Sequence, residues 1–228
     1  MAIQVQYLRN NLNTLIAKNQ SGGFTNAQFN DWLKSAQVML FNYYLEMKIR
    51  DAKEAVNALE TFFKNQVITF TSGTAAKPTD IYLEDSWLYR WSKNTPTGIQ
   101  VEMIPIIYKS MSEITELDRN PLAKASIVKK RLYWTYLNNR FKVYPSTVQT
   151  AELFYYREPA AAIYATTDVV TPNGTFQQYD PNTSVDLEWN VTEQENFIDL
   201  LTFFAGLPLR ESAIIQFVQS KQKEALVN

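Results

Sequence analysis

The side chains that most often perform catalysis or bind metals are missing from this sequence. Its 228 residues include no Cys and no His, which removes thiol nucleophiles, thiolate ligands and the commonest general base. Zinc chemistry and Ser-His-Asp catalysis are therefore excluded, whereas carboxylate pairs and Ser-Lys arrangements remain possible. The six glycines form no phosphate-binding fingerprint.

Two pairs of acidic residues are the candidates for carboxylate catalysis or for binding a hard cation. They are Glu84 with Asp85, in a predicted loop, and Asp186 with Glu188, on one side of a predicted strand. A glycosidase needs two carboxylates about 5 to 10 Å apart across a cleft, and Ca²⁺ needs several oxygens together. Neither pair has a known ligand spacing, so we interpret both as surface pairs. We predict no catalytic, cofactor-binding or metal-binding residue.

Charge is unevenly distributed along the chain, and two segments carry a single sign. The basic segment, residues 121–145, contains no acid, and the acidic segment, residues 158–209, contains no Lys or Arg. Complementary patches across an interface steer association and fix its register. One interpretation is that the basic segment of one subunit meets the acidic segment of the next. The alternative is that both segments are solvated or pair within one subunit.

The predicted subunit-contact residues come from these segments and from the tight turn beside the cations. They are Lys129, Lys130, Arg131, Trp134, Asn138, Asn139, Arg140, Lys142, Asp186 and Glu188. Aromatic residues interleaved with cations also suit base stacking on nucleic acid. The aromatic residues here alternate with the period of a strand, which favours a core role instead.

The N-terminal quarter is helical by its pattern. A weak first helix covers residues 3–18, and a second begins at Thr25, an N-cap with Gln28 three residues later and a staple of Phe24 on Phe29. The second helix carries one apolar stripe, made of Phe29, Leu33, Ala36, Leu40, Tyr43 and Met47. If it runs unbroken to Phe62 it is about 60 Å long. A break near Arg50 and Asp51 into two ordinary helices is the alternative.

The middle of the chain has strand and turn signals. We predict a loop over 71–78, a strand at 99–103 stopped by Pro105, and a short helix over 108–118. The clearest hairpin covers 132–143 with its turn at Asn138 and Asn139, and a third antiparallel strand follows at 151–157. Both hairpin faces carry large side chains, so we expect the hairpin to project from the helices and contact another chain.

The last quarter is predicted as loop, one short strand and two helices. Residues 158–184 have turn signals throughout, and a strand over 184–189 follows. The first helix is capped by Thr192 with Glu195 and stops at Gly206, and the second begins at Pro208 and passes Val218.

The fold class predicted from this order is α+β, a helical body from the N- and C-terminal helices with an inserted antiparallel β-rich region. The predicted domains are an N-terminal helical region over 1–70, the β-rich insertion over 71–190, and a C-terminal helical pair over 191–228 that packs on the N-terminal helices. Aromatic residues make up 14% of the chain and suit either a large core or an interface. No run approaches the roughly 18 apolar residues of a membrane span, and the N-terminus has no signal-peptide pattern, so we expect no membrane partner.

Three stretches carry a resemblance to a known group of proteins. They are Lys142-Val-Tyr-Pro145, Leu153-Phe-Tyr-Tyr-Arg-Glu-Pro159, and Ser184-Val-Asp-Leu-Glu-Trp189 leading into residues 197–211. Their order resembles the structural proteins of crAss-like bacteriophages, in particular the head-to-tail ring proteins, also called adaptors or connectors. The resemblance is best over about residues 127–220. It rests on the types of residue in these stretches and on the order of the stretches along the chain.

The resemblance implies a virion protein without catalytic residues or cofactors. Its expected role is a subunit of a closed ring below the portal, in the neck of a short-tailed phage that assembles in the host cytoplasm. The implied partners are other copies of itself, about twelve in a closed ring, the portal and other neck or tail proteins. DNA would pass through the ring without sequence-specific contacts, which a net charge of −1 suits. A monomeric module that binds a peptide or glycan through its aromatic β-unit is the alternative, and a carboxylate-dependent hydrolase is a further one.

Overall fold

The chain divides into two compact units in a computed structural model that describes residues 2–18, 23–49, 53–95, 98–172, 174–206 and 219. The helical unit comprises residues 1–61 and 159–228, and the sheet unit comprises residues 62–158. Within the described residues the chain forms five α-helices and eleven β-strands, so the fold class is α+β.

The helical unit contains four of the helices and four short strands. They are β1 (Ala2–Ile3), α1 (Val5–Lys18), α2 (Asn26–Ile49), α3 (Lys53–Leu59), β9 (Thr166–Thr171), β10 (Gly174–Tyr179), β11 (Leu187–Asn190) and α5 (Gln194–Phe204). Helix α5 packs on α1 and α2, and β1 pairs with β11. Trp189 is fully buried at the centre of this unit, where its ring contacts Phe41, Tyr44 and Phe197.

Helix α2 begins as the sequence predicts. The backbone N–H of Thr25 donates to the Gln28 side chain, the Gln28 N–H donates to the Thr25 hydroxyl, and the rings of Phe24 and Phe29 lie 5.9 Å apart. The first four residues of the predicted stripe are buried. Tyr43 and Met47 are half-buried, because the buried side of the helix drifts to Phe41, Tyr44 and Leu45. Residues 50–52, where a break was considered, lie outside the described residues.

The start of α5 differs from the prediction. A 3₁₀ turn at Val191–Glu193 precedes the helix, and its cap is Asn190, whose side chain accepts from the N–H of Thr192. Glu193 takes the N-cap position of α5 without a side-chain cap bond. The predicted N-terminal capping of this helix by Thr192 and Glu195 is therefore wrong. The helix stops as predicted at Gly206, which has φ of +71°. The predicted last helix, from Pro208, falls almost wholly outside the described residues.

The sheet unit is a seven-stranded mixed sheet with one helix. Its elements are β2 (Phe63–Thr69), β3 (Thr74–Ala76), β4 (Ile81–Thr95), β5 (Gly98–Tyr108), α4 (Met111–Arg119), β6 (Leu132–Leu137), β7 (Arg140–Tyr144) and β8 (Thr150–Arg157). The strand order is β2-β8-β4-β5-β6-β7-β3, and only β5 and β6 are parallel. The two edge strands, β2 and β3, are joined by a turn at Thr71–Thr74. The sheet therefore curls enough for this short turn to connect its two edge strands.

The predicted hairpin is confirmed as β6–β7, and it forms part of the seven-stranded sheet. Strands β6 and β7 turn at Asn138 and Asn139, which have φ of 50° and 58°, as a two-residue type I′ turn requires. Both strands have a second neighbour, β5 for β6 and β3 for β7. Trp134 and Phe141 pack on the core of the sheet unit. The hairpin is therefore not a free-standing unit, because both of its strands have a second neighbour and one of its faces packs on the core of the sheet unit. Its expected contact with another chain stays a prediction.

Two other strand predictions are corrected by non-local pairing. Strand β5 continues through Pro105, which lies opposite Leu88 at the last residue of the β4 ladder, where the missing N–H costs least. Strand β8 forms as predicted, but it pairs with β2 and β4 instead of extending the hairpin. The short helix predicted over 108–118 is confirmed as α4, capped by a box of Ser110 with Glu113.

Two segments predicted as loop contain strands. Residues 74–76 of the predicted loop over 71–78 form β3, and residues 166–171 and 174–179 form the paired strands β9 and β10. The β9–β10 strands are largely exposed and rich in Thr and Gln, so they lack the buried apolar alternation that marks a strand. The predicted insertion, 71–190, accordingly differs from the sheet unit, because residues 159–190 belong to the helical unit.

Candidate subunit-contact residues

Three predicted contact residues lie on the turn that leads into β6. Lys129 and Lys130 are exposed, and Lys130 has φ of 55°. The Lys130 ammonium forms an ion pair of 2.5 Å with Glu102 on β5. Arg131 is half-buried, and one guanidinium nitrogen has no hydrogen bond within the described residues. Part of the basic segment is therefore neutralised within its own unit, and Lys129 remains available to solvent.

Four more predicted contact residues lie on the β6–β7 hairpin. Asn138, Asn139 and Arg140 are exposed at its turn. The Lys142 ammonium lies 5.1 Å from the centre of the Tyr144 ring, an attractive cation–π arrangement. The exposed cations of the basic segment, Lys124, Lys129, Lys130 and Arg140, thus lie in or beside three separate turns of the sheet unit and do not follow one strand.

Trp134 serves the core of the sheet unit. Its ring contacts Trp87, Tyr108, Tyr136 and Phe141 at centroid distances from 5.1 to 6.3 Å. A groove of about 320 Å³ opens beside it, and Trp87 and Tyr108 also line this groove. Trp134 is half-buried, so truncating its ring should cost part of the roughly 3 to 5 kcal/mol that a fully buried ring costs. A Trp134 variant would therefore report on folding rather than on a subunit contact.

The two acidic contact residues hold the helical unit together. Asp186 accepts a hydrogen bond of 2.9 Å from the N–H of Val5, the first residue of α1. A carboxylate at this position satisfies an orphan helix N–H and opposes the positive end of the helix dipole. Glu188 accepts a 2.9 Å bond from the N–H of Ala160. Both carboxylates therefore have an internal role.

A buried polar cluster that the sequence did not reveal lies in the same unit. The Tyr44 hydroxyl donates to the Glu193 carboxylate, which also accepts from the Asn196 amide at 2.8 Å. Burial first, and then the hydrogen bond to Glu193, raise the pKa of Tyr44. Sequence reasoning counted Glu193 only among the acids of the acidic segment, because nothing local signals that α2 supplies its partner. The cluster ties α2 to the 3₁₀ turn before α5.

The other acid pair, Glu84 and Asp85, lies at an irregularity of β4 and lines the 320 Å³ groove. Glu84 forms an ion pair of 3.4 Å with Lys77. Within the described residues no three acidic side chains cluster in a way that would hold a metal ion.

No helix in the described part of the chain has both the length and the apolar character of a membrane span.

Comparison with known proteins adds no assignment: no protein-family model and no curated protein matches this chain.

Proposed function

We propose that this protein is a structural subunit that assembles with copies of itself into a closed ring. The proposed place is the neck of a short-tailed bacteriophage virion, between the portal and the next tail component. The phage assignment comes from the sequence resemblance to head-to-tail ring proteins. The support for self-assembly comes from the distribution of charge over the two units.

The single observation that carries the assembly proposal is that the two compact units have opposite net charge. The sheet unit contains thirteen Lys and Arg against nine Asp and Glu, a net charge of +4. The helical unit contains nine basic residues against fourteen acids, a net charge of −5. The sheet unit of one copy is therefore electrostatically complementary to the helical unit of another. Complementary charge of this kind accelerates association and orients it.

A contact between two different surfaces is heterologous, and repeated heterologous contacts close into a ring when the rotation per subunit divides the circle. Under this proposal about twelve copies surround a conduit, the helical unit forms the body of the ring, and the sheet unit faces a neighbour. DNA passes without base-specific contacts, because near-neutral protein does not retain a polyanion electrostatically. No cofactor and no catalytic step form part of the proposal.

The test is the copy number in the assembled state. Native mass spectrometry or electron microscopy of the chain assembled with the portal should show one closed ring with many identical copies. Isolated subunits can remain monomeric until they meet the portal, so the assembled particle is the sample to measure. A single copy per particle, or a twofold dimer as the final state, would overturn the proposal.

The aromatic groove favours a second candidate, a monomeric binding module. Its rings, Trp87, Tyr108 and Trp134, supply the apolar lining typical of small ligand sites. A module of this kind would bind a peptide or glycan without assembling. Tryptophan fluorescence titration with oligosaccharides and peptides would detect binding, and the same mass measurement would then show one copy.

A further inference from the structure

The side of β5 that faces away from the core carries no polar residue over nine positions. Successive side chains of a strand point to opposite faces, and the buried Ile104 and Ile106 mark the core side. The alternate positions are Ile99, Val101, Met103, Pro105 and Ile107. All five are exposed, Ile99 by 72% and Ile107 by 54%.

On the neighbouring strands the same side carries apolar residues together with the polar residues Arg90, Ser92 and Glu152. Strand register places Leu88 beside Pro105, Glu152 beside Leu88, and Val67 beside Glu152. Farther along β2 the exposed ring of Phe63 stacks on Phe154 at 6.0 Å. We define the outer apolar face by Phe63, Val67, Leu88, Val101, Met103, Pro105 and Ile107. An antiparallel sheet with one side in water normally carries polar residues on that side, so the exposed apolar row of β5 is suited to being covered.

A second exposed surface lies in the helical unit, on the β9–β10 hairpin. Among the described residues its strands pair only with each other, and an isolated two-stranded hairpin is at best marginally stable in water. Its base is fixed, because the Asn26 amide donates to the Thr166 hydroxyl and the ring of Tyr179 packs on Tyr164. Near its turn Val170 is 80% exposed and Phe176 is 51% exposed. They lie on opposite faces of the hairpin, so both faces end in an uncovered apolar side chain.

We propose that the outer apolar face of one copy receives the β9–β10 hairpin of a second copy. This inference rests on the proposed self-assembly and names its contact. The two surfaces differ, so the contact is heterologous and repeats from copy to copy. The exposed alternate residues of β5, from Ile99 to Ile107, span about 26 Å, and each six-residue strand of the hairpin spans about 20 Å. The face is therefore long enough to cover the hairpin.

Charge supports a second copy as the occupant. The outer apolar face belongs to the unit with net charge +4 and the hairpin to the unit with net charge −5. Arg90 lies opposite Met103, so its side chain emerges on the outer apolar face, where it lines a shallow groove of about 210 Å³ with Val67 and Glu152. Asp168 is the sole charged residue of the hairpin. Arg90 and Asp168 take part in no ion pair among the described residues, and both are exposed.

The absence of native Cys makes site-specific cross-linking the direct test. Val101→Cys and Phe176→Cys chains are made separately, mixed in equal amounts and treated with a short bifunctional maleimide. The mixture should give a two-chain product in several-fold greater yield than either variant alone. Gln100→Cys is the matched control, since this exposed residue lies next along β5 on the opposite side. It should give only background product with Phe176→Cys.

Charge reversal adds a second arm. Arg90→Asp in the Val101→Cys chain should lower the yield several-fold, and Asp168→Arg in the Phe176→Cys chain should restore it. Thermal melts of every variant establish that the chains are folded. Equal yields from Val101→Cys and Gln100→Cys would overturn the inference, as would a product formed mainly by Val101→Cys alone, which signals a twofold contact.

The untreated chain separates this inference from the proposed function. A ring in the portal assembly without the Val101–Phe176 product overturns the contact and leaves the ring. A single copy in that assembly together with background cross-linking overturns both. A ring with the product supports both.

Discussion

Glu113 shows how several short contacts determine the ionisation of one exposed carboxylate. It accepts hydrogen bonds from the Lys109 ammonium at 2.8 Å and from the Ser110 N–H and hydroxyl at 2.8 and 2.9 Å. The Lys109 bond is the largest cause, and together these partners lower the pKa of Glu113 from 4.5 to about 2. A depressed carboxyl pKa contributes stability that is present above about pH 4.5 and is lost as the pH falls towards 2.

Removing the main partner should raise this pKa. We expect Lys109→Met to move the midpoint of the Glu113 carboxyl titration from about 2 towards 4.5, because the ammonium hydrogen bond and its charge are lost. The titration is measured by NMR of the side-chain carboxyl carbon. Lys129→Met, which removes an exposed cation elsewhere in the same unit, should leave the midpoint unchanged. An unchanged midpoint in Lys109→Met would contradict this account.

Residue roles could be predicted where the partner is near in sequence. Thr25 and Gln28 are three residues apart, and their capping box forms as the pattern predicts. Asp186 and Val5 are 181 residues apart, so no local pattern shows that the carboxylate caps α1. The same holds for Glu193 and Tyr44. Asp186 was therefore predicted at a subunit contact, although its carboxylate holds its own unit together, and Glu193 was given no specific role.

At the scale of elements, Gly73 lies where the two edges of the curled sheet are joined. Its φ is +74°, and its carbonyl accepts a hydrogen bond of 2.8 Å from the N–H of Val143. A methyl group at Gly73 would lie 2.9 Å from both Cα and Cβ of Ser146. The turn therefore needs glycine for its backbone angle and also for space.

Two glycines with nearly the same φ separate these effects. Gly206 has φ of +71°, and no atom of the described residues lies within 4 Å of the position of an added Cβ, so Gly206→Ala should cost only the left-handed conformation, about 1 to 2 kcal/mol. Gly73→Ala should cost a further 1 to 3 kcal/mol, about the usual cost of overpacking. Urea unfolding of both variants measures the difference. Equal losses of unfolding free energy would show that the backbone of Ser146 moves aside freely.

The elements that could be predicted are those whose pairing is local. The β6–β7 hairpin closes through two residues, and its alternating aromatic side chains indicate it directly. Strand β2 instead pairs with β8, almost ninety residues later, and six of its seven residues are exposed. It was placed in the N-terminal helical region because it has no alternating buried face of its own. Its neighbour in the sheet became visible only in the structure.

At the scale of the whole molecule, the change in charge along the chain coincides with the change of compact unit. The basic segment lies wholly within the sheet unit, and all the acids of the acidic segment except Glu158 lie in the helical unit. The sequence predicted that basic and acidic residues are separated along the chain. It did not predict that this separation coincides with the boundary between two compact units. The boundary at 158/159 could not be predicted, since residues 159–190 return to the helical unit as strands and not as helices.

The last prediction uses the charge difference between the units. Lys129 is exposed in the sheet unit, and Lys129→Glu lowers the net charge of that unit from +4 to +2. If the sheet unit of one copy meets the helical unit of the next, the variant should assemble with the portal more slowly than the native chain at low salt. The difference should shrink at moderate salt, because the Debye length falls from about 30 Å at 0.01 M to about 10 Å at 0.1 M. The melting temperature of the free subunit should barely change, since an exposed charge contributes about 0 to 1 kcal/mol.

Lys34→Glu is the control with an identical change in total charge, because Lys34 is exposed on α2 of the helical unit. This reversal makes the acidic unit more acidic, so it should not slow assembly. Lys130→Glu should combine slower assembly with a small loss of stability, as it also breaks the ion pair with Glu102. Assembly is followed by sedimentation with the portal at the two salt concentrations, beside thermal melts of the free subunits. Equal slowing by Lys129→Glu and Lys34→Glu would mean that total charge matters and the location of the charge does not, which would remove the electrostatic support for a heterologous ring.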